Sequence, residues 1–531
     1  MPVRALLVTI VQVAFTLYLC LKVRKALHML QLNSYRLARY CGWLSRNGFM
    51  VAAWDLLPLA SAPLLLWASP IVWSFACVIV YLALFASALR ARRAEKMPLV
   101  VTRRVKRLWV PVGILLGSAV VLAGRLLMQE DARDILFALA GMSVLGASSA
   151  IIALVANAAN LPLEFLISQS YVRDAKRKLG TFPSLTVIGI TGSSGKTTTK
   201  RILAEILSER FNVLATPASY NTALGVVRTI REHLKPIHEV LVLEMGARQR
   251  GDIEEICRLA EPRYGVLTGI SEQHLETFGT IENIAQTKFE LLKCLPEDGV
   301  AIVNDDDAHV RAWSANRRCV RFGIDSDRAD LRAEEMQANP EGTTFVVVNK
   351  NGERRRFRTR LLGKHNVLNI LAAAAVAGEL GLDLGLIARA ARRVAPTEHR
   401  LEARRAAGNV IIIDDSYNSN PIGAHMALEV LGLFAGYRKV LVTPGMIELG
   451  SKEAELNRSF GLSAAGVCDE VILVGPRRTL PIREGLREGG FPEEHLHTAR
   501  DLKEASHILG SVAKSDSAVL FENDLPDNYA E

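Results

Sequence analysis

The segment Gly189-Ile-Thr-Gly-Ser-Ser-Gly-Lys-Thr-Thr-Thr has the residue types and spacing for chemistry on phosphate groups. It follows an apolar, β-branched run and precedes a helical pattern, and in that context backbone amides and a helix N-terminus bind phosphate. Lys196 adds a positive charge for the β- and γ-phosphates, and the Thr197 hydroxyl can ligate Mg²⁺. A strict motif would have glycine at position 190, where this chain has Ile, so the loop is a variant. The predicted phosphate-binding residues are Gly192, Ser193, Ser194, Gly195, Lys196, Thr197 and Thr198.

Three further side chains are candidates for metal chemistry. Glu244 ends an apolar strand, so its carboxylate should lie at the edge of the sheet beside the phosphate loop, where an acid that orders a metal ion is expected. The alternative is an ordinary acid at the end of a strand. His274 follows the next strand, and a lone histidine is more often structural. Lys288 follows 14 residues later on a predicted helix, where a solvated position is the simpler interpretation.

The elements that must position these residues begin near Phe182. Short β-branched runs at 185–190, 239–244, 265–270 and 300–304 alternate with helical patterns, and a second set follows at 410–415, 439–443, 470–474 and 517–521. Such alternation predicts two α/β units with parallel sheets. We expect a central P-loop ATPase domain at 183–395 and a smaller Rossmann-like C-terminal domain at 396–531.

The first 160 residues have a different pattern, that of an α-helical membrane domain. Apolar runs at 5–21, 49–68, 71–89, 108–128 and 135–156 are close to the length of a spanning helix, so about five transmembrane helices are expected at 1–160, followed by a basic linker at 161–182. The first run could instead be a cleaved signal peptide, but no small-residue cleavage site follows it. Asp55 lies inside the second run, where an acid is either functional or, near the end of the helix, solvated or structural.

Charge distribution predicts the orientation of these helices. Residues 1–180 contain 21 basic and 7 acidic side chains, whereas the rest of the chain contains 43 basic and 48 acidic ones. The basic residues concentrate at 22–46, 90–107 and 173–178, and the alternate connections contain almost none. By the positive-inside rule the N-terminus is outside and the chain is a multi-pass protein of the cytoplasmic membrane, in contact with its lipids, with cytoplasmic catalytic domains. The basic excess is therefore not a nucleic-acid footprint, and the seven scattered cysteines indicate no disulfide framework.

Five ordered segments together resemble the Mur ligase family, most nearly its branch that adds D-alanyl-D-alanine to the muramoyl tripeptide. They are TGSSGKTTTK (191–200), EMGARQRGDI (244–253), His274-Leu-Glu-x-Phe-Gly through Lys288, LLGKHNVLNILAAAAVA (361–377) and IIIDDSYNSNP (411–421). The resemblance covers residues 182–531. It implies an ATP-dependent acid–amino acid ligase of peptidoglycan-type precursors, in which a carboxylate is activated as an acyl phosphate and captured by an amine.

The resemblance also implies roles for individual residues. Lys196, Lys288 and His274 would be catalytic; Thr197 and Glu244 would bind one Mg²⁺, and His274 with a carbamylated Lys288 a second. Asn221 would lie on the substrate side. A hinge near Pro396 would close the C-terminal domain over the site. The remaining nucleotide-contacting positions would be Asn366, Asn369, Arg400, Asp414 and Asp415.

The chain also departs from the family pattern. The membrane half takes the place of the domain that holds the UDP end of the substrate, so either the acceptor is lipid-linked or UDP is recognised by other surfaces. The C-terminal segment Leu520-Phe-Glu-Asn-Asp lacks the Lys-Gly-Ser-Arg run of the dipeptide-adding branch, which leaves the amine, an amino acid or a dipeptide, open. Alternatives are a membrane-bound polyglutamate-type polymer synthase and a P-loop ATPase that drives transport; no ABC-type signature supports the latter.

Overall fold

A computed structural model describes residues 2–524 except 47, 51–52, 64–69, 94–97, 130, 219, 274, 314–317 and 418. The chain divides between Gln169 and Ser170 into two compact units. Each unit has its own hydrophobic core, and each is described separately below.

The first unit is helical. Its apolar faces pack around a core contributed mainly by the first helix and by the long helices that follow it. Four helices are long and apolar enough to cross a membrane, judged by length and composition: 5–32, 72–90, 103–128 and 149–179. The helices are α1 (Pro2–Leu32), α2 (Leu37–Arg46), α3 (Leu57–Ala60), α4 (Pro70–Arg93), α5 (Arg103–Met128), α6 (Ala132–Ala147) and α7 (Ser149–Leu179), with 3₁₀ turns at Gly48–Met50 and Ala53–Leu56.

Three expectations for this half need correction. The described part of run 49–68 forms only short turns: the 3₁₀ turn that contains Asp55 ends at Leu56, and a four-residue helix with Pro58 in its first turn begins at Leu57. The run 135–156 is divided at Ser148 between α6 and α7, so the described residues contain four long apolar helices rather than five. The expected linker 161–182 is helical to Leu179, because its basic residues occupy the last helical turn, where they offset the helix dipole, and Gly180 follows the helix end.

Asp55 is buried and paired. Its carboxylate lies 2.5 Å from the Lys22 ammonium and accepts a hydrogen bond of 3.2 Å from the Tyr18 hydroxyl. Lys22 also donates to the Gly146 carbonyl oxygen at 3.0 Å. The solvated interpretation of Asp55 is therefore wrong, and the contacts favour a structural ion pair that joins α1 to the segment before α3.

The second unit begins with a nine-stranded sheet. Its strands follow the order β2-β3-β1-β4-β5-β6-β7-β8-β9; neighbours from β2 to β7 are parallel, and β7 to β9 form an antiparallel meander. Helices cover both faces because the strands bury side chains on both sides: Val240 and Val242 face one helical layer, and Leu241 and Leu243 face the other. The strands are β1 (Thr186–Thr191), β2 (Val213–Ala215), β3 (Val240–Glu244), β4 (Tyr264–Leu267), β5 (Val300–Asn304), β6 (Cys319–Gly323), β7 (Leu331–Asn339), β8 (Gly342–Asn349) and β9 (Arg354–Thr359).

The helices of this domain alternate with its strands. They are α8 (Lys196–Leu207), α9 (Ala223–His233), α10 (Asp252–Ala260), α11 (Leu275–Phe278), α12 (Ile281–Lys288), α13 (Glu290–Lys293), α14 (Ala308–Trp313), α15 (Lys364–Glu379) and α16 (Leu384–Arg393). The alanine-rich α15 is buried on nearly all sides and packs against α8, so it places its first turn beside the start of α8.

A six-stranded sheet of order β10-β11-β15-β12-β13-β14 follows, parallel except for the β10–β11 pair. Its strands are β10 (Glu402–Arg405), β11 (Ile411–Asp415), β12 (Arg438–Thr443), β13 (Glu470–Val474), β14 (Leu496–Ala499) and β15 (Ser517–Glu522). Its helices are α17 (Pro421–Gly432), α18 (Glu453–Ala465), α19 (Leu480–Glu488) and α20 (Leu502–Val512), with 3₁₀ turns at Ala407–Asn409, Gly450–Lys452 and Glu493–His495. The eight predicted strands all exist with ends shifted by up to three residues.

Candidate active site

The phosphate loop follows β1, the third strand of the larger sheet, which lies between β3 and β4. Gly192 and Gly195 have φ angles of +152° and +78°. A Cβ atom on Gly192 would lie 2.0 Å from Thr268 Oγ1, and one on Gly195 would lie 2.4 Å from Asn369 Oδ1. Both positions therefore require glycine. Ile190, the departure from the strict motif, lies inside β1 and is fully buried in the core, so it does not disturb the loop.

The residues after β4 hold this loop in place, and the sequence analysis did not single them out. The amide of Ser193 donates to the Gly269 carbonyl at 2.9 Å, and the Thr268 hydroxyl donates to the Ser194 carbonyl at 2.5 Å. The amide of Ser271 donates to Ser193 Oγ at 2.9 Å. Strand topology could have indicated these residues, because the carboxyl ends of adjacent parallel strands lie at the same edge of a sheet.

Lys196 starts α8 and folds back over the loop. Its ammonium group donates to the carbonyl oxygens of Gly192 at 2.6 Å and Ser193 at 3.1 Å. Burial lowers the pKa of Lys196 to about 8, with the nearby Glu244 carboxylate opposing and the positive charge of Arg400 reinforcing that shift. The charges of Glu244 in the middle domain and of Arg400 at the domain junction therefore both act on Lys196. Thr197 and Thr198 occupy the first turn of the same helix, half-buried.

Glu244 is fixed from two sides. It is 1% exposed; one carboxylate oxygen accepts from Asn221 Nδ2 at 3.1 Å and the other from Lys200 Nζ at 3.0 Å. Lys200 also donates to the Ala218 carbonyl, and burial lowers the pKa of Lys200 against the opposing effect of Glu244. Lys200 was not predicted; its signal is its place one helical turn after Lys196, which puts both lysines on one face of α8.

Lys288 ends α12 and is buried, with 3% of its surface exposed. Burial, followed by the neighbouring charge of Lys196, holds the pKa of Lys288 well below its ordinary value, despite Asp252 and Glu290. A neutral amine is the form of lysine that reacts with carbon dioxide, so the environment suits a carbamate. His274, its expected partner in metal binding, lies outside the described residues.

Asn366 and Asn369 pack at the loop through the first turns of α15. Asn369 Oδ1 accepts a hydrogen bond from the Thr199 hydroxyl of α8 at 3.1 Å. Asn366 donates to the Leu362 carbonyl oxygen at 2.8 Å. Both side chains are buried. Asn369 thus joins α15 to α8, and the contact of either side chain with the nucleotide stays a prediction.

The junction between the two α/β domains brings Arg400 to the site. His399 and Leu401 have φ angles of +58° and +48°, a conformation that costs non-glycine residues about 1–3 kcal/mol each. The Arg400 guanidinium lies 4.4 Å from the centre of the Tyr417 ring. Close to it, burial raises the pKa of Asp415 to about 6, and the charge of Arg400 opposes that rise.

Asp414 has different partners at the junction. It accepts hydrogen bonds from His399 Nδ1 at 2.8 Å and from the Ser416 hydroxyl at 2.6 Å. Burial raises its pKa, but these hydrogen bonds outweigh burial and leave the pKa below the ordinary value. Asp415 accepts a hydrogen bond from the Leu401 amide at 3.2 Å, and the charge of Arg400 acts on its carboxylate.

The donor set suits a metal ion that is bound together with nucleotide phosphates. Among the described residues no group of three or more histidine, cysteine or acidic side chains could hold a metal alone. Thr197 and Glu244 offer one hydroxyl and one carboxylate, the hard oxygen ligands that Mg²⁺ uses when substrate phosphates complete its coordination. The residues present thus fit Mg²⁺ with a nucleotide.

Comparison with known proteins decides the family. The family profile of the Mur ligase middle domain matches residues 190–377, and that of the Mur ligase, glutamate ligase domain matches residues 399–522. The UDP-N-acetylmuramoyl-tripeptide–D-alanyl-D-alanine ligase of Escherichia coli (strain K12) is 32% identical over 326 residues, 59% of this chain and 71% of that protein. The chain belongs to the Mur ligase family.

Mur ligases are ATP-dependent amide ligases. The ligase of the same name from Bacillus subtilis (strain 168) is 33% identical over 52% of this chain, and the alignment spans 59% of that relative's length. MurF from Acinetobacter baumannii matches with a TM-score of 0.61 at 28% identity, over 67% of this chain and 77% of that one. MurF ligase from Thermotoga maritima in complex with ADP matches with a TM-score of 0.60 at 30% identity, over 67% and 80%. Both family profiles leave residues 1–189 unmatched.

Proposed function

We propose that this Mur ligase forms an amide bond on a carboxylate-bearing cell-envelope precursor through an acyl phosphate, at the cytoplasmic face of the membrane. One observation carries the proposal: Lys196, in a loop built for phosphate, lies close to Glu244 from the middle domain and to Arg400 from the domain junction. A site of this kind can neutralise phosphate charge from both sides.

The reaction has two steps. The acceptor carboxylate attacks the γ-phosphorus of ATP, the bond to the β-phosphate oxygen breaks, and ADP leaves with the electron pair. The amine nitrogen then attacks the acyl carbon, a proton leaves the nitrogen, and inorganic phosphate departs. Lys196 and the amides of the loop hold the phosphates throughout, and the positive charge of Arg400 adds to the stabilisation of phosphate charge.

Metal ions and a carbamate belong to the same proposal. Mg²⁺ held by Thr197 and Glu244 would supply charge neutralisation for the β- and γ-phosphates. A carbamylated Lys288, together with His274, would hold a second Mg²⁺. The burial of Lys288, together with the charge of Lys196, supports this, because both favour the neutral amine that carbamylation needs.

Membrane attachment is proposed from the first 180 residues. Four long apolar helices and the basic segments beside them support a multi-pass protein of the cytoplasmic membrane whose catalytic domains are cytoplasmic, where ATP is available. Fusing alkaline phosphatase or green fluorescent protein to the C-terminus tests this: we expect fluorescence without phosphatase activity. Active phosphatase at the C-terminus would contradict the orientation.

The proposed acceptor and amine rest on the names of the relatives and on the segments in which this chain departs from the family pattern. The relatives' names describe ligation of D-alanyl-D-alanine to UDP-N-acetylmuramoyl-tripeptide. Because residues 1–189 match neither family profile, we propose that the acceptor of this chain is the lipid-linked form of such a precursor. The amine is an amino acid or a dipeptide.

Product mass tests the whole proposal. Detergent-solubilised full chain is incubated with ATP, Mg²⁺, UDP-linked or lipid-linked tripeptide precursor, and either D-alanyl-D-alanine or single amino acids including glutamate. We expect ADP release that depends on acceptor and amine, and one addition per acceptor. Lys196→Ala should abolish ADP formation without changing membrane insertion. A ladder of products would instead indicate a polymer synthase, and ADP release that ignores every amine would indicate a transport ATPase.

A further inference from the structure

Strand β9 is unusually basic. Arg354, Arg355, Arg356, Arg358 and Arg360 lie in or directly after this strand, in the part of the chain whose overall charge is negative. Alternate residues of a strand share a face, so Arg358 and Arg360 lie on the same side. Phe357 and Thr359, which alternate with them, are buried.

A cleft of about 640 Å³ opens beside these arginines. Its lining joins the end of β9, the turn between β7 and β8 and the last turn of α16. The lining residues are Glu341, Arg358, Thr359, Arg360, Arg392 and Arg393. Four guanidinium groups and one carboxylate therefore line the same cavity.

The walls of the cleft are fixed by close backbone packing. Gly342 has a φ angle of +146°, and a Cβ atom there would lie 2.1 Å from the Thr359 carbonyl oxygen. The Thr359 hydroxyl accepts a hydrogen bond from the Leu361 amide at 3.2 Å, and Phe345 stacks on Phe357 with ring centres 5.4 Å apart. The strand that carries Arg358 and Arg360 is therefore held in register by its neighbour.

Three of the four arginines of the cleft differ from Arg354 and Arg356 of the strand, which have carboxylate partners. Arg354 pairs with Glu334 and Glu335, and Arg356 lies 3.9 Å from Glu335. Arg393 pairs with Glu209. Across the ranges that the structure describes, no carboxylate lies within ion-pairing distance of Arg358, Arg360 or Arg392. Three converging guanidinium groups thus have their charges available to a ligand.

We propose that this arginine cleft binds a ligand through a phosphate or diphosphate group. Planar guanidinium groups bind phosphate oxygens with two hydrogen bonds each, and the cavity has the size of a small-molecule site rather than of a single ion. The site is distinct from the phosphate loop: β1 and β9 are six strand spacings apart, roughly 29 Å along the sheet. The phosphate group can belong to a soluble nucleoside diphosphate or to a lipid headgroup.

The experiment measures pyrophosphate binding to full-length protein in detergent, saturated with Mg²⁺ and ADP so that the phosphate loop is occupied, and without an acceptor or amine. It therefore does not depend on ligase activity. The test variant is the double substitution Arg358→Gln with Arg360→Gln. The matched control, Arg354→Gln with Arg356→Gln, removes the same charge from the same strand outside the cleft.

We expect the cleft variant to bind pyrophosphate at least tenfold more weakly than wild type, and the control to bind like wild type. Parallel titrations with UDP and with micelles containing phosphatidic acid identify the source, because only the correct one will show the same dependence on the cleft variant. Equal weakening in both variants would overturn the assignment and indicate a general charge effect. Absence of pyrophosphate binding to ADP-saturated wild type would overturn it as well.

Discussion

Replacing Lys200 with methionine tests whether the buried pair with Glu244 organises the active site. Both side chains are nearly inaccessible, with exposures of 3% and 2%, and their charged atoms are 3.0 Å apart. Lys200→Met leaves the Glu244 carboxylate buried with only the Asn221 hydrogen bond. Removing one partner of a buried ion pair costs about 3–5 kcal/mol because the other charge is left uncompensated. At roughly 2–4 °C per kcal/mol for a domain of this size, the thermal midpoint should fall by roughly 6–20 °C.

The assay is thermal unfolding of the full chain in detergent, followed by tryptophan fluorescence with and without Mg²⁺ and ADP. The double variant Lys200→Met with Glu244→Gln removes the orphaned charge, so it should recover at least half of the loss. Since Mg²⁺ would replace the missing positive charge, Mg²⁺ with ADP should stabilise Lys200→Met more than wild type. Arg228→Met serves as the control, because its pair with Glu232 is exposed on α9 and should not change the midpoint.

Two outcomes would refute this reasoning. A midpoint of Lys200→Met equal to that of wild type would mean that the pair does not hold Glu244. A double variant as unstable as the single one would mean that the loss comes from packing of the lysine stem and not from the buried charge.

Three further predictions concern the site and the C-terminal domain. Gly195→Ala places a Cβ atom against Asn369 at a φ of +78°, so ADP affinity measured by calorimetry should fall at least 100-fold; a change under threefold would contradict the loop geometry. Lys288→Gln should abolish both turnover and the carbamate signal that ¹³C-bicarbonate gives in wild-type NMR spectra, and an unchanged signal would place the carbamate elsewhere. Burial raises the pKa of Glu522 from 4.5 to about 7, so the folded state retains a proton that the unfolded state releases, and stability should fall by about 1.4 kcal/mol per pH unit between those values. Glu522→Gln should flatten that slope in denaturant titrations, and an unchanged slope would assign it to other groups.

The strands that carry the site were predictable because they are buried in a parallel sheet. β1, β3, β4 and β5 are covered on both faces, so their sequences are continuous apolar runs that composition alone reveals. The meander β7–β9 was missed for the opposite reason. β9 has only Phe357 and Thr359 buried among its arginines, and that pattern is typical of a solvated loop as well as of an edge strand.

The residues of the site likewise fall into two groups, those that a local sequence pattern indicates and those that depend on tertiary contacts. Lys196 and the glycines of the loop could be singled out because their spacing along the chain is the pattern typical of a phosphate-binding loop. Thr268 and Lys200 act through partners 74 and 44 residues away, and no periodicity encodes such contacts. The same limit explains Asp55, whose partner Lys22 lies 33 residues earlier on another helix.

The junction at residues 399–401 links nucleotide chemistry to the C-terminal sheet. His399 and Leu401, on either side of Arg400, both have strained backbone with positive φ angles, and such strain persists only because other contacts compensate it. Those contacts are made by the end of β11, where Asp414 binds the His399 ring and Asp415 accepts the Leu401 amide. The strand end that supplies an acid near Arg400 is therefore also the element that fixes Arg400. We therefore predict that a movement of the C-terminal sheet that displaces β11 releases this strain and shifts Arg400 relative to Lys196, which would couple the expected domain closure to neutralisation of phosphate charge.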